Sequence, residues 1–82
     1  MPDMNDISAF LAVARARGFR QAARESGMSS SALSDAIKRL ETELGVRLLN
    51  RTTRSVLPTE AGGELIKRLD PAFAEILSAL DQ

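Results

Sequence analysis

The stretch from Gly27 to Gly45, "GMSSSALSDAIKRLETELG", decides the fold. Leu33, Ile37, Leu40 and Leu44 recur at the spacing of one buried helical face. At about 100° per residue, Ser31, Asp35, Lys38 and Thr42 fall on the opposite side, flanked by Ser34 and Arg39. Three serines precede the run, and Ser29 or Ser30 can accept a hydrogen bond from a free amide of the first turn. Gly45 takes positive φ at little cost and ends the run, with Val46 set to pack back on the last turn. The pattern predicts a helix over about 30–44 with a fixed start and a polar, partly basic outer face.

Working outward, a short helix over Arg20–Ser26 comes first, closed by Gly27, with Met28 under the turn. Small Ala23, turn-forming Gly27 and apolar Leu33 fit a helix-turn-helix, although an αα-hairpin serving only as core has the same three residues. Further upstream, Asp3 suits an N-cap, and Ile7, Phe10, Leu11 and Ala14 share one face of a first helix. Arg15, Arg17 and Gly18 mark its end, and Phe19 reads as a core anchor beyond it. Downstream, "VRLLN" and "SVLP" read as two strands joined by the basic turn "RTTR", with Pro58 tolerable at a strand end. Arg47 is expected to brace the fold against Glu41 or Glu43.

Thr59 caps a last helix with Glu60 in its first turn. Gly62, Ile66, Leu69, Phe73, Ile76 and Leu80 form a heptad seam, broadened by Leu65 and Leu77. A helix of this length runs roughly 30 Å, and a domain this small cannot cover the whole stripe. The stripe suits dimerisation; the duller alternative is intramolecular core along its first turns with only its later part exposed. Pro71 removes one backbone hydrogen bond and predicts a kink. Asp70-Pro71 is also a pattern for a fresh helix start, but one kinked helix is the preferred reading.

The 82 residues suffice for one small domain, with 1–58 as a helix-turn-helix unit and 59–82 as a linker and dimerisation helix. The 44% apolar share and mixed charges indicate a folded soluble domain. No apolar run is long enough for a membrane span, and the acidic start is not a secretory signal. Without cysteine there is no disulfide or thiolate metal site, and without histidine the usual general base and metal ligand are gone. No nucleophile–base pair or metal cluster is visible, so neither catalysis nor a cofactor is expected. The net charge is zero, but Arg15–Arg54 holds nine Lys/Arg against four Asp/Glu, between acidic ends. Nine of the eleven basic residues are Arg, which suits forked contacts to phosphate and base edges.

Together these elements predict a mainly α winged helix-turn-helix: a three-helix core, a two-stranded wing and a long C-terminal helix. A capped second helix suits the DNA major groove, since its amino end approaches base edges first. Ser29, Ser30, Ser31, Ser34 and Asp35 line that end, and Lys38 and Arg39 lie further along. The wing, about 50–55, offers Arg51, Thr52, Thr53 and Arg54 to a narrow minor groove, where the negative potential is strongest. Duller roles exist for each: serines as caps, charges as solvated surface, and the stripe as the docking face of a helical protein–protein adaptor. The succession of basic segment, capped helix and basic hairpin favours double-stranded DNA.

The blocks "FLAVARARGF" and "QAARESGMSSSALSDAIKRLETELGVRLLNRTTRSVLPTEAG" resemble the N-terminal DNA-binding domain of LysR-type transcriptional regulators, over roughly Ile7 to Leu80. The portion from "LETELG" to "PTEAG" is the specific part. The resemblance implies a bacterial cytoplasmic regulator. It implies a homodimer through Leu65, Ile66, Leu69, Phe73, Ile76, Leu77 and Leu80, or a tetramer at full length. A downstream domain would sense a small molecule. It also implies DNA contacts from Ser30, Ser31, Ser34, Asp35, Lys38 and Arg51, and phosphate contacts from Arg20 and Gln21. Five positions depart from the family pattern. Gly18 stands where a capping Ser is common, and Ser26 replaces a core Leu, its hydroxyl expected to bond back to a carbonyl. Ser30 and Ser31 occupy places where Gln and Pro are common, and Asp35 often gives way to a basic residue or His.

Overall fold

The structure, a computed structural model, describes residues 1–52 and 55–81. Helix α1 (Met4–Ala16) begins at the Asp3 cap, whose carboxylate accepts from the Asn5 amide at 2.7 Å. Its inward face holds Phe10 and Leu11 as expected, with Ala9 and Val13 beside them, while Ile7 and Ala14 are half-buried. The left-handed residue that closes α1 is Arg17 (φ 60°), not the expected Gly18, which is extended at φ −179°. Gly18 instead precedes α2 (Phe19–Ser26) and, lacking a side chain, leaves that helix without a side-chain cap. Phe19 is thus the first residue of α2 and is half-buried.

Gly27 (φ 79°) turns the chain, its amide donating to the Ala23 carbonyl at 3.1 Å. The exposed Ser26 hydroxyl accepts from the Met28 amide at 3.1 Å rather than bonding back to a carbonyl. Its position thus faces solvent. Helix α3 (Ser30–Leu44) starts at Ser29, whose hydroxyl accepts from the Ala32 amide at 3.1 Å. Leu33, Ala36, Ile37 and Leu40 are its buried face; each large apolar side chain there contributes roughly 1.5–3 kcal/mol. The expected fourth member, Leu44, is 44% exposed. Gly45 (φ 71°) and Val46 both donate to the Glu41 carbonyl, at 2.8 and 3.2 Å, closing the helix through a left-handed glycine, with Val46 41% exposed rather than packed back on the last turn.

Strands β1 (Leu49–Arg51) and β2 (Val56–Pro58) pair antiparallel, with Asn50 opposite Leu57. Glu41 has another task than bracing Arg47: its carboxylate accepts from the Leu48 and Leu49 amides at 2.8 and 3.3 Å and fixes the entry to the wing. Arg47 is exposed and has no ion-pair partner among the described residues. Leu48, Leu49 and Val56 complete the core.

Helix α4 (Glu60–Leu80) runs unbroken through Pro71. Thr59 accepts from the Gly62 amide at 3.0 Å and donates to the Arg47 carbonyl at 2.7 Å, so one hydroxyl both caps α4 and ties it to the wing. Gly62 is buried against the Leu48 backbone. Leu65, Ile66, Leu69 and Phe73 pack half-buried against the core, whereas Ile76, Leu77 and Leu80 are exposed. Among the described residues no helix is long and apolar enough to cross a membrane.

Candidate nucleic-acid interface

Tight packing of α2 on α3 starts with small residues. Ala22 is fully buried and Ala23 half-buried, so the short helix approaches closely, while Leu33 anchors α3 beneath it. The outer face of α3 is then set by period alone. Ser30, Ser31, Asp35, Lys38, Arg39 and Thr42 are exposed or nearly so, and Ser34 is half-buried. Ser29, also exposed, spends a lone pair on its cap.

Two arginines are oriented by groups that the sequence pattern does not connect to them. Arg39 forks onto Asp6 of α1, Nε to Oδ2 at 3.2 Å and Nη2 to Oδ1 at 3.0 Å. Asp6 is only 4% exposed while the Arg39 side chain is 61% exposed. This bridge, through hydrogen bonding first and charge attraction second, raises the Arg39 pKa further above its ordinary value. Asp6 thus holds one edge of the guanidinium and leaves the rest outward. Asp6 lies 33 positions from Arg39, so no local pattern connects the two.

Arg51, the last residue of β1, donates from Nη1 to the Ser34 hydroxyl at 2.9 Å. Its guanidinium also sits 4.8 Å from the Phe19 ring centroid, a cation–π contact. The base of the wing, the start of α2 and the middle of α3 therefore converge on one side of the body. Thr52 and Ser55 close the wing: the Thr52 amide donates to the Ser55 carbonyl at 2.9 Å, and the Ser55 amide to the Thr52 hydroxyl at 3.0 Å. The wing-tip residues Thr53 and Arg54 lie outside the described residues.

Beside the wing an open cleft of about 530 Å³ is lined in part by Arg17, Arg20, Gln21, Arg24 and Thr52. Arg20 and Gln21 are exposed in the first turn of α2, and Gln21 bonds to Glu25 at 2.8 Å. Gly18 and Phe19, at the start of α2, which has no side-chain cap, line the same cleft as these arginines, a chemistry suited to anions.

Comparison with known proteins agrees with this geometry. The family model for bacterial regulatory helix-turn-helix proteins of the lysR family matches residues 4–63. An uncharacterised HTH-type transcriptional regulator of Escherichia coli K12, YcaN, is 56% identical over 80 residues, which is 98% of this chain and 26% of that protein. The chain therefore spans about a quarter of the length of that relative. Oxidised OxyR of Corynebacterium glutamicum superposes with a TM-score of 0.92 at 33% identity, over 99% of this chain and 26% of that one. The BenM DBD/benA site 1 DNA complex superposes with a TM-score of 0.88 at 26% identity, over 96% of this chain and 89% of that one. With its three-helix core and two-stranded wing, this chain belongs to the LysR family of bacterial regulatory helix-turn-helix proteins.

Proposed function

We propose that this chain binds double-stranded DNA sequence-specifically as the reading head of a transcriptional regulator. Residues 1–58 form the reading unit: α3 enters the major groove with Ser30, Ser31, Ser34, Asp35 and Lys38 toward the bases and backbone. The wing, with Arg51, Thr52, Thr53 and Arg54, reaches the flanking minor groove. Arg20 and Gln21 meet phosphate beside it, and Arg39 adds a contact from the guanidinium edge that Asp6 leaves open. Ser29 chiefly caps α3. Residues 59–82 link and dimerise through the exposed end of α4, so that two copies of α3 reach successive major grooves. In a longer protein, a downstream domain would sense a small molecule and a tetramer could form. The site of action is the bacterial cytoplasm, and the role is binding, not catalysis.

The single observation that carries this reading is the Arg51–Ser34 bond, since it supports a wing and a polar helix face presented to the same duplex. Selection from a random DNA pool tests it. A defined half-site repeated about one helical turn, or a multiple, apart is expected. Lys38→Ala with Arg20→Ala should weaken binding, and the log–log salt slope should fall by about 0.9 for each phosphate no longer neutralised. A pool that shows no enrichment would defeat the reading.

A further inference from the structure

Ser34, half-buried at the flank of the outer face of α3, has one of its two acceptor lone pairs already committed. Its oxygen accepts from Arg51 Nη1 at 2.9 Å, and among the described residues its hydroxyl donates to no partner. The guanidinium is held from a second side by the Phe19 ring, 4.8 Å from its centroid. A guanidinium has donors and no acceptor, so this contact can only occupy a lone pair of Ser34. An unrestrained serine hydroxyl rotates to suit donors or acceptors, and therefore discriminates poorly between bases. Accepting a charge-assisted bond polarises the O–H, which makes it a stronger donor and a poorer second acceptor.

We infer that Arg51 is a positioning residue that fixes Ser34 as a hydrogen-bond donor toward the duplex. The base facing Ser34 must then present an acceptor, such as purine N7, guanine O6 or thymine O4, and the amino group of cytosine is disfavoured. The neighbouring Asp35 carboxylate, exposed on the same face, asks for a donor instead. Adjacent residues of α3 thus read opposite polarities, and the wing sets one of them. This inference rests on the proposal that α3 faces the groove.

Random duplex pools selected on the unmodified chain, Ser34→Ala, Arg51→Met and Phe19→Leu test it, each protein first checked for cooperative unfolding. The unmodified chain should prefer an acceptor at one position by roughly three- to tenfold, the net value of one hydrogen bond. Ser34→Ala should erase that preference. Arg51→Met should reduce it to below about twofold at the same position while other positions keep theirs. Phe19→Leu keeps every charge and should reproduce the loss, and it carries the test if Arg51→Met does not fold. The inference is overturned if Arg51→Met or Phe19→Leu relaxes a different position or none. It is equally overturned if Arg51→Met weakens all sequences alike and lowers the salt slope by about 0.9, the signature of phosphate neutralisation alone. If the unmodified chain selects no sequence at all, the reading of α3 falls and takes this inference with it. Selection that is intact but indifferent to Arg51 and Phe19 defeats the inference only.

Discussion

Adjacent glycines in α4 have opposite physical reasons to be glycine. A methyl group on Gly62 would land on the Leu48 carbonyl oxygen, which already accepts from the Thr59 amide at 2.9 Å. A methyl on Gly63 would meet open space. Gly62→Ala should therefore cost about 1–3 kcal/mol through overpacking against rigid backbone. Gly63→Ala should gain about 0.5–1 kcal/mol by removing glycine's entropic cost in a helix. Urea midpoints at constant slope read both changes, and the same sign for the two would contradict the close approach of α4 to the wing. Arg17 offers a third measurement. It holds φ 60° without being glycine, a conformation that costs an L-residue about 1–2 kcal/mol. Arg17→Gly relieves that strain and gives back some tenths of a kcal/mol in chain entropy, so a net gain of up to about 1 kcal/mol is expected in thermal melts.

At the scale of elements, stability depends on how each helix begins. Ser29 and Thr59 are both hydroxyl caps, but they are not equivalent. The Ser29 hydroxyl accepts from one amide, that of Ala32, and makes no other hydrogen bond among the described residues. Thr59 accepts the Gly62 amide and also donates to the Arg47 carbonyl. Ser29→Ala should cost about 1 kcal/mol, and Thr59→Ala about twice that, because a cap and a further hydrogen bond disappear together. Equal losses in denaturant titrations would mean that the Arg47 bond contributes nothing. These caps were legible in the sequence, as were α3, the turn at Gly27 and the two strands. Each is signalled within a few residues, by period, by a hydroxyl before an apolar run or by a glycine after one. What escaped depends on partners far along the chain. Asp6 gave no hint that it waits for Arg39, nor Glu41 that it serves the Leu48 and Leu49 amides, nor Phe19 that it lies under Arg51. The exposed Leu44 shows the same limit from the other side: period marks a face but does not say where its burial stops.

For the whole molecule the question is what the far end of α4 is for. The body measures 41 × 27 × 19 Å, and α4 is tied to it by the Arg15–Asp70 ion pair just before Pro71. Beyond that tie, Ile76, Leu77 and Leu80 stand in solvent, Leu80 at 78% exposure. Their substitution should not disturb the fold of one chain, since none belongs to the core cluster. The double variant Leu77→Glu with Leu80→Glu should therefore melt like the unmodified chain at low concentration, where both are monomers. At rising concentration the two should separate. The unmodified chain should approach twice its mass in sedimentation equilibrium, and the variant should stay monomeric, because carboxylates on a shared seam repel and must lose hydration to be buried. On DNA with two half-sites the variant should bind with the affinity of one half-site, since the gain from linking two reading heads disappears. A variant that still doubled its mass would mean that the copies meet elsewhere, and the stripe on α4 would then need another explanation.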